Sequence, residues 1–368
     1  MRQMLWADPL TGMPSLREVE QAAMGGLPPG VYDFVAGGSG EERALRANRE
    51  AFEQCHVVPR VLTDVSACRT RTTLLGEESS APVAIAPMAY QGLLHPEGER
   101  ALAAAARDAG LPYVAATLSS YTVEEIAAVG AVTWFQLYWL RDRARTAELI
   151  ERAEAANCRV LMLTVDVPRM GRRLRDIGNA FALPRGLGPA NLAADTRTEH
   201  VKVMGRSAVA EHALATLDPS LDWSALSWIR QRTGMRLVLK GVLDPADARR
   251  AADEGVDGIV VSNHGGRQLD AALPSLAALP AVREAVGDRY EILLDSGVRS
   301  GEDVLRALAL GASGVLLGRP ALWGLALGGR RGAAHVLALL QTELEQALVL
   351  AGCPDVAAAV ELRTEERR

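Results

Sequence analysis

EILLDSGVRSGEDVLRALALGASGVLLGR, residues 291–319, divides into three parts. EILLDS (291–296) is a short apolar run closed by polar and small residues. SGEDVLRALALGA (300–312) carries apolar residues at helical spacing, with Ser300 placed as an N-cap and Asp303 three residues on. GVLLGR (314–319) is a second short apolar run. Run, helix and run of these lengths predict a βαβ unit. Runs without polar alternation suit parallel strands buried on both faces.

The same kind of run recurs outward along the chain. VAIAPM (83–88), YVAAT (113–117), WFQLYW (134–139), RVLMLTV (159–165), RLVLKG (236–241) and GIVVSN (258–263) bring the total to eight. Helix-like segments lie between them: EGERALAAAARDAG (97–110), TVEEIAAVG (122–130), ARTAELIERAEAAN (144–157) and DPADARRAADEG (244–255). Eight strands alternating with helices predict an α/β fold, the (β/α)8 or TIM barrel. A doubly wound sheet is the alternative, but eight evenly repeated units favour closure. The chain, 1–368, reads as a single barrel domain. Residues 1–80, with SGEERALRANREAFEQ, are expected to form an N-terminal helical cap, and 182–222 a long, polar, lid-like loop between strands 4 and 5. GAAHVLALLQTELEQALVLAGC (332–353) reads as an amphipathic helix on the outside.

Composition narrows the classes. Of 368 residues 49% are hydrophobic and 23% charged, with net charge −5, so no basic excess points to nucleic acid or an anionic membrane surface. Cys55, Cys68, Cys158 and Cys353 lie far apart with no metal-ligand spacing, which suggests reduced thiols and a cytoplasmic protein without a metal. The N-terminal segment shows neither an apolar core nor a cleavage site, and no apolar stretch reaches membrane-spanning length.

In such barrels chemistry sits where the strands end. Polar groups recur there: Pro87-Met88-Ala89, Thr117, Gln136 with Tyr138, Thr164 with Asp166, Lys240, His264 with Arg267, Asp295 with Arg299, and Gly318-Arg319. Glycines, Arg299, a helix start, Gly318 and Arg319 at the last two strand ends are what a phosphate needs, against a reading as ordinary turn glycines. Lys240 in a barrel mouth needs a negative partner: a substrate anion, a Schiff-base carbonyl or an electron-rich cofactor edge; otherwise it is a surface lysine. SNHGGRQLD (262–270) places a proton acceptor, His264, beside Gly265-Gly266 and the fork of Arg267. Arg172 and Arg173 offer a second cation, or a solvated basic turn.

SNHGGRQLD closely resembles the active-site signature of the FMN-dependent α-hydroxy acid oxidases and dehydrogenases. VYDFVAGGSGEERALRANREAF, IAPMAYQGLLHPEGE, WFQLYWLRDR, LTVDVPRMGRRLRDIGNAF, LVLKGV, LLDSGVRSGEDVLRALALGASGVLLGRP and LAGC resemble that family in the same order, over roughly residues 15–355. The resemblance implies FMN as cofactor and a catalytic set of His264 as base, Asp166 orienting it, and Tyr138 bonding the substrate or its developing charge. It implies that Arg173 and Arg267 clamp a carboxylate. Lys240 would face the flavin N1–C2=O edge. Gln136, Thr164 and the backbone of Ala86 to Ala89 would meet the polar edge of the ring, with Pro87, Met88, Thr117 and Ser262 also in the cofactor set. Asp295 would hold ribityl hydroxyls, and Gly297, Arg299, Gly318 and Arg319 the phosphate.

Two departures and one match shape the substrate expectation. Phe34 stands where many members have a substrate-contacting tyrosine, and Leu118 where glycolate-oxidising members have tryptophan; both favour a larger apolar substituent. Ala89 matches oxidase members. The expected reaction is oxidation of an aromatic (S)-2-hydroxy acid, mandelate or 4-hydroxymandelate, to the 2-oxo acid, with oxygen as acceptor and hydrogen peroxide as product. The resemblance also implies a homotetramer. The alternatives are a lactate or mandelate dehydrogenase using a quinone or protein acceptor, an FMN barrel acting on a diphosphate, and a flavin-binding protein without catalysis. His264, Arg173 and Arg267 suit a carboxylate better than a diphosphate.

Overall fold

The computed structural model describes residues 10, 12–192 and 207–366. All eight apolar runs are strands: β1 (Val83–Ile85), β2 (Tyr113–Ala116), β3 (Thr133–Leu137), β4 (Val160–Thr164), β5 (Arg236–Val242), β6 (Gly258–Val261), β7 (Glu291–Leu294) and β8 (Gly314–Leu317). Each pairs in parallel with its neighbour in the chain, and β8 pairs with β1, closing an eight-stranded barrel. Both faces of every strand are covered. Ala84, Val114, Trp134, Met162, Val238, Val260, Leu293 and Leu316 fill the interior. Their neighbours Ile85, Phe135, Leu163, Leu239, Ile259, Leu294 and Leu317 pack outward under the helices. That double burial is why the runs lack alternation.

The helices that return the chain carry local start signals. Ser300 accepts from the Asp303 N–H at the head of Gly301–Ala309, Thr122 and Glu125 form a capping box, and Asp142 and Asp244 cap their own helices. The expected helix at 332–353 is part of a longer one, Arg319–Leu350, broken at Gly328 and Gly329. Gly329 is left-handed (φ +55°), and a Cβ there would lie 2.7 Å from the His95 ring, so the break lets His95 pack. Among the described residues no helix is long and apolar enough to cross a membrane.

Residues before β1 serve both ends of the barrel. A hairpin, Thr72–Leu74 with Glu77–Ser79, turns through Leu75 and Gly76, both at positive φ (+50° and +81°). Leu74 and Leu75 plug the barrel floor, where Cβ atoms on Gly314 and Gly258 would collide with them. Three helices, α1 (Leu16–Gly26), α2 (Pro29–Ala36) and α3 (Arg43–Gln54), precede this hairpin, and α2 and α3 reach the opposite end. Of the expected lid at 182–222, residues 193–206 lie outside the described residues. Its flanks form a 3-10 turn (Ala190–Leu192) and a helix (Ala208–Thr216).

Candidate active site

The C-terminal strand ends surround one cleft of about 1250 Å³, counting its open mouth. Its wall includes Pro87, Met88 and Ala89 after β1, Gln136 and Tyr138 from β3, Thr164, Lys240, His264 and Arg267 after β6, and Asp295, Gly297, Arg299, Gly318 and Arg319. Phe34 enters from α2, stacked on Phe181 at 4.4 Å between centroids and beneath the Arg267 guanidinium at 5.4 Å. Leu118, Val167, Met170, Val209, Ala213 and Leu217 make one side of the cleft apolar.

His264 is held by its whole loop. Its backbone is left-handed (φ +59°), uncommon for a residue with a Cβ, and its N–H donates to Ser262 Oγ at 3.0 Å. Gly265 N donates to Ser296 Oγ at 2.8 Å and Gly266 N to Asn263 Oδ1 at 3.0 Å. Gly266 (φ +74°) cannot carry a Cβ, which would lie 2.6 Å from the Leu45 backbone of α3. The imidazole Nδ1 faces both oxygens of Asp166, at 3.0 and 3.2 Å. This pairing sets the tautomer and leaves Nε2 for a partner in the cleft.

Lys240 finds a negative partner within the chain, which the sequence reading did not supply. Its ammonium lies 2.6 Å from Asp295 Oδ2 and donates to Ser262 Oγ at 2.9 Å. Burial works to raise the Asp295 pKa, but the Lys240 charge and hydrogen bonds from Lys240, Ser262 and Ser296 hold the carboxyl below its usual range. Gln136 donates to Thr164 Oγ1 at 2.9 Å and accepts from the Thr117 N–H at 3.1 Å. Thr117 and Ser262, expected in the cofactor set, are both fully buried one layer behind the wall. They orient Gln136, Tyr138, Lys240 and His264.

Four guanidiniums converge on the cleft, Arg173 buried and Arg267, Arg299 and Arg319 half-buried. Burial depresses each of Arg173, Arg267, Arg299 and Arg319. Arg173 and Arg319 lower Arg267 further, and Arg299 adds to burial in pushing Arg319 down to about 9. Arg267 donates to Gly37 O at 2.8 Å, while Arg319 donates to Val35 O, Gly265 O and Gly37 O at 2.8–3.1 Å. Arg173 differs: its nearest carboxylate oxygen, on Asp176, is 3.9 Å away, and its buried Nε has no partner among the described residues. Clustered cations that depress one another, one with an orphaned donor, are a site for anions. Arg172 instead borders a second groove with Arg169 and Glu211.

The end of the cleft where a phosphate is expected has a backbone that fits one. Gly318 precedes the helix Arg319–Leu350, and a Cβ on it would meet protein no nearer than 3.8 Å, so its face opens into the cleft. Gly297 (φ +112°) has no room for a Cβ, which would meet Asn48 O at 2.9 Å. Asp303, itself buried, accepts from Arg299 N and Arg49, bracing the turn ahead of Gly301–Ala309. Two helix N-termini, two glycines and two arginines fit a phosphate dianion.

Tyr138 lies on the wall, its hydroxyl pushed up to about 12 by burial and by Asp166, so it stays a donor at ordinary pH. Gln268 is a residue that strand-end reasoning missed. Its Nε2 donates to Asp166 O at 2.8 Å and Arg169 O at 2.9 Å, and its Oε1 accepts from Gly171 N at 2.9 Å. It thereby fastens the loop carrying Asp166 and Arg173 to the loop carrying His264 and Arg267. Asp270 is a second: it accepts from Glu41 N and Ala44 N and so caps α3 from the base loop. Both stand within SNHGGRQLD, and only their side-chain chemistry marked them.

Known proteins match this chain and its fold over almost the whole length. The family described as FMN-dependent dehydrogenase matches residues 23–364. A 4-hydroxymandelate oxidase of Amycolatopsis orientalis is 51% identical over 351 residues, 95% of this chain and 98% of that protein. An L-lactate oxidase of Nostoc is 46% identical over 344 residues, 92% of this chain and 94% of that protein. A solved mandelate oxidase with (S)-4-hydroxymandelic acid superposes with a TM-score of 0.94 at 50% identity, covering 96% of this chain and 99% of that one.

Proposed function

The chain belongs to the FMN-dependent dehydrogenase family, and on that premise we propose that it oxidises an aromatic (S)-2-hydroxy acid, mandelate or 4-hydroxymandelate, to the 2-oxo acid, with oxygen as acceptor and hydrogen peroxide as product. One observation carries this reading. The His264–Asp166 pair and the orphaned Arg173 share a cleft whose remaining side is apolar. A carboxylate, an adjacent hydroxyl and an aromatic ring match those three parts.

FMN, when bound, accepts the two electrons that leave the substrate. Gly297, Arg299, Gly318 and Arg319 would hold its phosphate, Asp295 its ribityl chain, and Gln136, Thr164, Lys240 and the backbone of Pro87 to Ala89 its ring edge. Arg173 and Arg267 take the carboxylate, and binding an anion relieves the mutual repulsion of their charges. Tyr138, held protonated, donates to the substrate oxygen. His264 Nε2 takes the substrate proton, and Asp166 favours the resulting imidazolium. Phe34, Leu118 and Met170 keep water from the ring side.

The oxidase names of the relatives and Ala89 support oxygen as acceptor. The four cysteines, far apart in sequence and without metal-ligand spacing, agree with a reducing, cytoplasmic setting, and the family resemblance supports a homotetramer, which light scattering on the purified holoenzyme tests. The deciding assay is oxygen uptake and peroxide release with (S)-mandelate and (S)-4-hydroxymandelate. Anaerobic bleaching of the flavin without peroxide in air would replace oxygen by another acceptor. Absence of bleaching with either acid would end the reading altogether.

A further inference from the structure

α3 carries two adjacent residues, Asn48 and Arg49, that serve different loops of the site, and neither is among the residues that wall the cleft. Asn48 is 2% exposed and Asn263 4%, and their side-chain amides pair reciprocally, each Nδ2 donating to the other's Oδ1 at 2.8 Å. Asn263 stands immediately before His264, and its Oδ1 also accepts from Gly266 N at 3.0 Å. Asn48 therefore holds the turn from which the base projects. Arg49 holds the phosphate turn. Its guanidinium donates to Gly297 O and, at 2.6 Å, to Asp303 Oδ2. Asp303 in turn accepts from Arg299 N at 2.8 Å.

The backbone of α3 is engaged as closely as its side chains. A Cβ on Gly297 would lie 2.9 Å from Asn48 O, and one on Gly266 would lie 2.6 Å from the Leu45 backbone. Asp270, beyond the base, accepts from Ala44 N at 3.1 Å. One helix thus meets the base loop and the phosphate turn at backbone contact, with a side-chain bond to each. Two buried amides matched to one another fix a register that a pair of apolar residues would leave free. Close-packed interiors transmit displacement rather than absorb it, so a shift at either loop is felt at the other. We propose that Asn48 and Arg49 are positioning residues through which α3 fixes the base loop and the phosphate turn relative to each other, so that His264 is best placed when the phosphate turn is occupied. The proposal rests on the assignment of Gly297 and Arg299 to the FMN phosphate and of His264 to the base.

The test sets each residue against the loop it does not touch. Asn48→Leu removes side-chain bonds to the base loop alone. Its apoprotein should nevertheless bind FMN about 3- to 30-fold more weakly than wild type, while riboflavin, which lacks the phosphate, loses less than about two-fold. Arg49→Met keeps the length of the side chain and removes its bonds to the phosphate turn alone. Saturated with FMN, that variant should be reduced by saturating (S)-mandelate about 3- to 30-fold more slowly than wild type in anaerobic stopped flow. Equal losses of FMN and riboflavin in Asn48→Leu would mean a general loosening of the fold and would overturn the proposal. An Arg49→Met enzyme that binds FMN weakly but, once loaded, is reduced at the wild-type rate would overturn it too, because the two loops would then be independent. Should Asn48→Leu not fold, the Arg49→Met arm decides alone. A wild-type holoenzyme that mandelate does not bleach defeats the functional reading instead, and the ratio of FMN to riboflavin affinity then decides the coupling by itself.

Discussion

Replacing Gln268 by leucine removes three hydrogen bonds that hold two catalytic loops in register. The amide bonds Asp166 O at 2.8 Å, Arg169 O at 2.9 Å and Gly171 N at 2.9 Å, and leucine matches its size without its polarity. The Gly171 bond and the Asp166 bond are part-buried and the Arg169 bond is exposed, so the loss to stability is about 2–3 kcal/mol, near 1 kcal/mol per bond. The larger effect is positional. Gly171 is wedged so tightly that a Cβ on it would lie 2.4 Å from Arg267 O, and Asp166 meets His264 at 3.0 Å across the same seam. A shift of about 1 Å there misplaces both the imidazole's partner and Arg173, which is worth roughly 100-fold in rate. Stopped-flow anaerobic reduction with saturating mandelate reads that loss, and FMN absorbance shows that the cofactor site stays loaded. Gln268→Glu keeps the acceptor for Gly171 N but sets a carboxylate against two carbonyls, so it should not rescue. A Gln268→Leu enzyme that melts lower but reduces within two-fold of wild type would show that His264–Asp166 alone keeps the register, and the reasoning would fail.

Asp166→Asn should retain FMN but lower the reduction rate by about 100-fold or more, because His264 loses the carboxylate that fixes its tautomer and favours its imidazolium; an unchanged rate would remove Asp166 from the mechanism. Arg173→Met should raise KM for mandelate far more than it lowers flavin loading, a split read by steady-state kinetics and the flavin-to-protein absorbance ratio. The Asp295 carboxyl has a folded pKa below its unfolded value of about 3.9. Its contribution to stability is therefore full above that value and lost as pH falls through the folded one. Asp295→Asn should flatten that acid limb in urea melts and, by leaving Lys240 unpaired, destabilise the fold by about 3–5 kcal/mol at neutral pH. Stripped of FMN, the protein should gain thermal stability from millimolar inorganic phosphate, which should also slow reconstitution by competing at Arg299 and Arg319; a phosphate-insensitive apoprotein counts against the cradle.

The barrel was legible because its physics is local. Each strand is buried on both sides, so each announces itself as an uninterrupted apolar run, and Ser300, Asp142 and Asp244 mark helix starts by chemistry that acts within three residues. The floor plug was not legible. Thr72–Ser79 spans a few residues, and nothing in TTLLGEES tells that Leu74 and Leu75 enter a barrel whose walls come up to about 240 residues later. The break in Arg319–Leu350 was hidden for the same reason, since Gly328-Gly329 is explained by His95 rather than by its own neighbours.

Side-chain identity told which groups could do chemistry, and distance in the chain concealed whom they serve. His264 and Asp166 are 98 positions apart and Lys240 and Asp295 are 55, so neither pair has a local signal. The arginines make the sharper case. In sequence Arg173, Arg267, Arg299 and Arg319 are four equivalent cations at strand ends. In the fold Arg319 bonds three backbone carbonyls that join α2 to the base loop, Arg267 shares two of those carbonyls, and the Arg299 guanidinium donates to Val298 O. Arg173 keeps a buried N–H with nothing in the described chain to receive it. Arg299 and Arg319, braced by backbone carbonyls, keep further N–H donors for a phosphate, while Arg173, with its buried Nε unanswered among the described residues, is placed to take the substrate's carboxylate.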